Sequence, residues 1–152
     1  MMADISSRSL IGFPMFNPNV VVKNIVQKES IANVISVISR FLLAYIFIIA
    51  GWGKIAGYEG TVGYMEAMGV PGGLLPLTIL VELGGGLALL FGFQTRFAAF
   101  GLAVFSIITA FLFHGTPEDA IHFMKNIAIA GGLFTLMSYG AGKLSLDHVI
   151  EK

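Results

Sequence analysis

Six polar side chains interrupt the apolar segments of this sequence or stand at their ends. Amino, guanidinium, imidazole, carboxyl and carboxamide groups can form ion pairs, hydrogen-bond a ligand or carry protons. A charged group at membrane depth costs ~2.5–3.5 kcal/mol on insertion scales, so it normally has a partner or a function. These side chains form the candidate ligand-binding set: Arg40, Lys54, Glu82, His114, Lys125 and Asn126.

Four long apolar segments carry these groups. Each contains about 20 residues, enough to cross the ~30 Å hydrocarbon core of a bilayer as a helix. Hydrophobic residues make up 56% of the 152-residue chain and charged residues 12%, whereas a soluble domain carries about 25% charged residues. The sequence therefore predicts an all-α integral membrane protein, a four-helix bundle. The predicted spans are Val34–Ile55, Leu74–Phe93, Phe97–His114 and Ile121–Tyr139.

Composition excludes several classes of function. The net charge is zero and no basic cluster occurs, which argues against nucleic acid as a partner. The chain has no cysteine, so disulfides, thiol catalysis and Cys-ligated clusters are excluded. His114 and His122 show no recognised ligand spacing, so the sequence predicts no metal site.

The spans divide the chain into an N-terminal cytoplasmic tail at 1–33, a four-helix domain at 34–147 and a C-terminal tail at 148–152. Lys and Arg residues outside the spans lie mainly on the side of the two termini, so the positive-inside rule places both termini in the cytoplasm. The N-terminal segment before the first span is predicted as a flexible tail, with a short interfacial or cytoplasmic helix at Asn24–Ser30 as the alternative.

The first outward-facing loop is predicted to contain a short amphipathic helix near Thr61–Met68. Met65 lies on its apolar side, and Gly69 and Pro71 would end it. Tyr64 is expected to lie in the interfacial aromatic belt. This helix would lie across the outer ends of the spans.

Small residues predict which face of each span points into the bundle, because they allow membrane helices to approach closely. The polar residues recur on the same faces as the small ones. The predicted inward faces are Arg40, Ala44, Phe47, Gly51 and Lys54 in the first span, Glu82, Gly84, Gly85, Gly86, Ala88 and Gly92 in the second, Ala99, Ala103, Ser106, Ala110 and His114 in the third, and Lys125, Ala128, Gly132 and Thr135 in the fourth.

Depth along the spans predicts which polar groups meet. Glu82 lies about 12 Å along its helix from Leu74, at about 1.5 Å per residue. Lys54 and Lys125 are therefore its expected partners, with His114 within reach, whereas Arg40 belongs to the inner half. One interpretation is a structural ion pair that fixes helix register. The other is a polar pocket that binds an anionic or quinone-like ligand or carries protons.

A series of short motifs resembles the DoxX family. It begins at Arg40 and continues through Ala50-Gly51-Trp52-Gly53-Lys54 and Glu82-Leu83-Gly84-Gly85-Gly86 to Phe123-Met124-Lys125-Asn126. The segment from Tyr64 to Pro71 is similar to the YqjF-type branch of bacterial inner-membrane proteins. The resemblance covers roughly residues 38–147 and implies a four-helix protein of the bacterial inner membrane.

The resemblance also suggests classes of function. Relatives include subunits of quinone-linked sulfur-oxidising complexes and proteins associated with resistance to quinones, catechols or oxidative stress. It therefore implies a quinone-linked redox subunit or a stress-associated oxidoreductase-like protein, with a quinone as cofactor and the lipid bilayer and a redox partner subunit as partners. Two alternatives stay open: a non-enzymatic protein that binds or transports small molecules or protons, and an assembly factor for a membrane complex.

Overall fold

Apolar helices account for most of the chain that the computed structural model describes, residues 15–152. The structure is 83% helical, and residues 15–152 contain no strand. The all-α prediction is therefore confirmed. Residues 1–14 of the predicted N-terminal tail lie outside the described part of the chain.

In the described part of the chain, four helices are long and apolar enough to cross a membrane, which confirms the predicted number of spans. Consecutive spans run in opposite directions, and the second and third are joined by a turn at Gln94. The spans are Glu29–Ala56, which is helix α2, then Gly72–Phe91, then Thr95–Phe113, which is helix α6, and finally Pro117–Tyr139, whose main part is helix α7 at Ala120–Tyr139.

The second span is not a continuous α-helix. A 3₁₀ turn at Gly72–Leu74 leads into helix α4 at Leu75–Ile79, and helix α5 at Gly85–Phe91 completes the span. Between α4 and α5 lies a π-helical turn at Leu80–Gly84. A π turn holds one more residue than an α-helical turn, so it rotates the residues on either side relative to one another. Such turns recur at functional sites.

Within residues 15–152, three short helices flank the spans. Helix α1, Pro18–Val26, is capped by the side chain of Asn17 and lies in the segment expected to be a flexible tail. The alternative helix at Asn24–Ser30 does not form as one element, because a turn at Gln27 and Lys28 separates α1 from α2. Helix α3, Tyr58–Ala67, is the predicted helix of the first loop, and its Met65 is buried. Helix α8, Leu146–Ile150, lies near the C-terminus.

Because of these connections, one end of the bundle carries α3 and the other carries α8. We call them the α3 end, where α2 and α6 terminate, and the α8 end, where α5 and α7 terminate. The tightest packing joins α6 with α7 and α2 with α5, and α5 also packs against α6. At the centre lies an apolar cluster that includes Ala44, Phe47, Leu89, Leu102 and Leu133.

The predicted inward faces of the first and third spans agree with the structure at every named residue except Lys54 and His114, which lie at the helix ends and are half-buried. In the second span the predicted face is correct at Glu82, Gly86 and Gly92, which are buried, and wrong at Gly84, which is exposed. Glu82, Gly86 and Leu89 follow the i, i+4, i+7 spacing of one helix face, and Gly84 lies on the other side. Gly86 approaches the first span so closely that a Cβ there would lie 2.9 Å from Cγ1 of Ile48.

The predicted face of the fourth span is also wrong. Lys125, Ala128 and Thr135 are exposed, and Gly132 is only half-buried. The buried face consists instead of Ala130 and two larger apolar residues, Leu133 and Leu136. This helix packs mainly against α6, whose own alanines supply the close approach, so its inward face does not need small residues.

Candidate functional site

A buried ion pair joins the first two spans at the α3 end. Nζ of Lys54 lies 2.8 Å from Oε2 and 3.1 Å from Oε1 of Glu82. The side chain of Glu82 is 8% exposed and that of Lys54 27% exposed. Of the two lysines expected beside Glu82, the structure selects Lys54.

Local backbone structure places the two charges together. Lys54 lies in the last turn of α2, and Glu82 lies at the centre of the π turn, facing the bundle interior. Gly51, one helical turn before Lys54, packs directly on the π turn. A Cβ at Gly51 would lie 3.0 Å from both the Cβ and the backbone nitrogen of Leu83. A glycine at this position therefore allows the close contact that brings the ion pair together.

The ion pair lies in the wall of a cavity of about 590 Å³. All four spans and α3 contribute to the lining, which is mostly apolar. Ligand sites in proteins typically enclose about 300–1,000 Å³ and combine apolar walls with a few polar groups. The polar lining residues are Lys54, Thr61, Tyr64, Thr78, Glu82, Ser106, Thr109, His114, Lys125 and Asn126. Five of the six predicted site residues thus lie around one cavity.

One oxygen of the Glu82 carboxylate is enclosed by the protein. Oε2 is buried and, among residues 15–152, has no partner in hydrogen-bond geometry, although the Lys54 ammonium lies 2.8 Å away. A buried acceptor normally has a partner, and here the ammonium in contact supplies the opposite charge. Because Oε2 has almost no accessible surface, it belongs to the ion pair and does not face a ligand in the cavity.

Hydroxyl and carboxamide groups from the third and fourth spans line the same cavity. Nδ2 of Asn126 donates to Oγ1 of Thr109 over 3.4 Å, and Thr109 in turn donates to the carbonyl of Phe105 over 2.9 Å. Ser106 is buried at the wall, one position beyond Phe105. The cavity therefore offers neutral hydrogen-bonding groups together with the ion pair.

The remaining predicted groups lie at the rim. Lys125 is exposed, and its Nζ lies 3.2 Å from Nδ1 of His122, so the predicted contact with Glu82 does not form. His114 lies 5.3 Å from His122 between ring centroids, and its Nδ1 is 3.8 Å from the carboxylate of Asp119. These residues surround the α3 end of the cavity without touching the buried ion pair.

Arg40 is the one predicted site residue that the structure places elsewhere. It is 2% exposed and donates hydrogen bonds to the carbonyls of Leu89, Leu90 and Leu144. Those of Leu89 and Leu90 belong to the last turn of α5, where orphan carbonyls and the helix dipole favour a cation. Gly92 ends that helix in the left-handed region, and a Cβ there would lie 2.6 Å from Nη1 of Arg40. Arg40 therefore holds the α8 end together.

Asp147 binds the N-terminal end of a helix, whereas Arg40 binds a C-terminal end. Its carboxylate accepts hydrogen bonds from the backbone N–H groups of Gln94, at 2.6 Å, and Thr95, at 2.9 Å, at the start of α6. Partial burial opposes ionisation of Asp147, but the hydrogen bonds from Thr95 and Gln94 and the charge of Arg40 together lower the pKa of this carboxyl. Sequence reasoning did not identify this contact, because it joins positions far apart in the chain.

Sequence reasoning also missed five polar cavity residues, which are Thr61, Tyr64, Thr78, Ser106 and Thr109. Thr78 lies one helical turn before Glu82, a spacing that could have identified it. Ser106 was predicted to face the interior but was not included in the site. Tyr64 was predicted to lie in the aromatic belt, whereas it lines the cavity and stacks on Phe113 with 5.6 Å between ring centroids.

Comparison with known proteins agrees with this architecture. The DoxX family model matches residues 35–115. The chain is 52% identical over 118 residues to the inner membrane protein YqjF of Escherichia coli (strain K12), covering 76% of this chain and 91% of that protein. It is 32% identical over 125 residues to the inner membrane protein YphA of the same organism, covering 76% and 89%. No solved structure matches the chain.

Proposed function

The chain belongs to the DoxX family of multi-pass inner membrane proteins, and we propose that its cavity binds a quinone-like molecule at the Lys54–Glu82 ion pair. The observation that carries this proposal is the buried ion pair in the wall of an otherwise mostly apolar cavity. A charged pair inside a membrane bundle is costly and usually serves a function. An apolar cavity with a few convergent polar groups is the usual form of a ligand site.

Quinone chemistry fits the groups on the wall. A quinone carbonyl accepts hydrogen bonds, and the ammonium of Lys54 and the hydroxyl of Ser106 can donate them. A quinol hydroxyl donates a hydrogen bond, and the carboxylate of Glu82, whose side chain is 8% exposed at the cavity wall, can accept it. The apolar ring would pack against aromatic side chains such as Phe47 and Phe105. Both redox forms of the ligand therefore find suitable partners.

In this proposal the chain is the membrane subunit of a quinone-linked redox system. The bound quinone would exchange electrons with a partner protein. The ammonium of Lys54 would stabilise the quinone oxygen that becomes more negative on reduction, and the carboxylate of Glu82 would accept a proton that the quinol releases on oxidation. The distribution of Lys and Arg predicts that the cavity lies at the periplasmic side of the membrane.

Ligand binding is favoured over proton transport by the packing beneath the cavity. A proton path towards Arg40 would have to cross the apolar cluster of Ala44, Phe47, Leu89 and Leu102. These side chains are at most 5% exposed, and none carries a polar group. Within the described part of the chain, the cavity therefore ends at a packed apolar layer.

The test is quinone binding by the purified protein in lipid nanodiscs. Bound decylubiquinone is extracted and quantified for the wild type, Lys54→Met and Glu82→Gln. A hydrogen bond to a charged group contributes ~1.5–3 kcal/mol, so each substitution should weaken binding about tenfold or more.

The matched control uses the exposed ion pair between Lys143 and Glu29, which has the same 2.8 Å separation. Lys143→Met and Glu29→Gln should leave quinone binding unchanged. Unchanged binding in folded Lys54→Met and Glu82→Gln, or an equal loss in the control variants, would refute the proposed site.

A further inference from the structure

The cavity reaches the side of the bundle between the second and third spans. Leu74 and Leu77 on the second span and Ile108 and Leu112 on the third line the cavity, and each is about half exposed. A side chain that both lines a cavity and faces outward marks an edge of the cavity's opening. The four edge residues thus frame a gap on the lateral, lipid-facing surface.

Helix packing accounts for the gap. Helix α5 packs against α6, and a Cβ at Gly85 would lie only 3.0 Å from Leu102. Within the described part of the chain, α4 makes almost no contact with α6. The second and third spans therefore touch at the α8 end and diverge beyond the π turn towards the α3 end.

The α3 end of the gap is covered. Tyr64 of α3 stacks on Phe113 at the end of α6, and Met65 is 4% exposed against the cavity. Eleven residues separate Leu102 from Phe113, or ~16 Å of helix at about 1.5 Å per residue. The gap between these two contacts is therefore long enough to admit a flat ring or a hydrocarbon chain from the side.

From this geometry we infer that the ligand enters sideways from the bilayer and carries a hydrocarbon tail. Its polar head lies at Lys54 and Glu82, and its tail leaves the bundle between Leu77 and Ile108. This inference rests on the proposed function and specifies its ligand as a membrane-dissolved, tail-bearing quinone. A tail at an opening lined by leucine and isoleucine remains in an environment as apolar as lipid.

The test blocks the lateral gap with a bulky group. The native chain has no cysteine, so each single-cysteine variant takes one label at a known place. Leu77→Cys and Ile108→Cys are modified with fluorescein maleimide, reconstituted in nanodiscs and supplied with decylubiquinone through the lipid. Labelled Leu80→Cys is the control, because Leu80 is 68% exposed on the same span and does not line the cavity.

We expect labelling of Leu77→Cys or Ile108→Cys to abolish quinone uptake relative to the same unlabelled variant. Labelled Leu80→Cys should take up quinone as its unlabelled form does. Duroquinone, which has no tail, should be retained more weakly than decylubiquinone by the wild type.

Two other results separate the possible failures. Uptake that survives labelling at Leu77 and Ile108 but is lost on labelling Thr61→Cys, on the α3 side of the cavity, would overturn the lateral route and leave the proposed function intact. Absence of quinone binding by the wild type would overturn both.

Discussion

Removal of the lysine from the buried ion pair should destabilise the bundle more than removal of the glutamate. In Lys54→Met, the carboxylate of Glu82 remains 8% exposed and loses the cation in contact with it. An uncompensated buried charge typically costs ~3–5 kcal/mol. In Glu82→Gln, Lys54 is 27% exposed and can extend its ammonium towards the headgroups, so the loss should be smaller.

A double variant separates the energy of the Lys54–Glu82 interaction from the cost of leaving one buried charge without a partner. Lys54→Met/Glu82→Leu removes both charges and leaves apolar side chains of similar size. Replacement of a whole buried pair in this way is often close to neutral. The double variant should therefore be more stable than Lys54→Met, with a coupling energy that a double-mutant cycle measures directly.

The assay is reversible unfolding in mixed micelles by titration with sodium dodecyl sulfate, followed by circular dichroism. Lys143→Met is the control, because Lys143 pairs with Glu29 at the same distance but both side chains are exposed. It should change the free energy of unfolding little. Equal losses for Lys54→Met and Glu82→Gln, or a loss in Lys143→Met as large as in Lys54→Met, would refute the reasoning from burial.

Three further predictions concern packing and the α8 end. Gly86→Ala should lower the unfolding free energy by ~1–3 kcal/mol, because the added Cβ would press on Ile48. Gly84→Ala, at an exposed site, should be neutral or stabilise the protein by ~0.5–1 kcal/mol. Equal effects of the two substitutions in the same assay would contradict the assigned helix face. The pKa of Asp147 in the folded protein lies below its value of about 3.9 in the unfolded chain. The ionised carboxylate therefore stabilises the fold above about pH 3.9, and this contribution is lost as the pH falls through the folded pKa. The difference in unfolding free energy between the wild type and Asp147→Asn should shrink in acid, and a difference that does not change with pH would contradict this. Arg40→Met should lower stability by ~1–3 kcal/mol per carbonyl left unpaired without weakening decylubiquinone binding by the folded protein, and a selective loss of binding would place Arg40 in the site.

The sequence by itself determined the class of the fold and the approximate level of the polar groups. Hydropathy gave four spans because a helix must bury about 20 apolar residues to cross a bilayer, whatever it packs against. Charge burial identified Lys54 and Glu82 because an ionised group at that depth needs a partner. The helix in the first loop was predicted from its end signals, Gly69 and Pro71, which act locally.

Tertiary structure decided which faces and partners those groups use. In the second span, the small residues predicted Gly84 to face the interior together with Gly86, whereas packing against α2 buries Gly86 and leaves Gly84 exposed. Long flexible side chains left Lys54 and Lys125 as equal candidates, and only the close contact at Gly51 selects Lys54. Arg40 finds its partners on α5 and near α8, at carbonyls whose position depends on where distant segments end. Such contacts depend on the packing of whole helices, which no local pattern encodes.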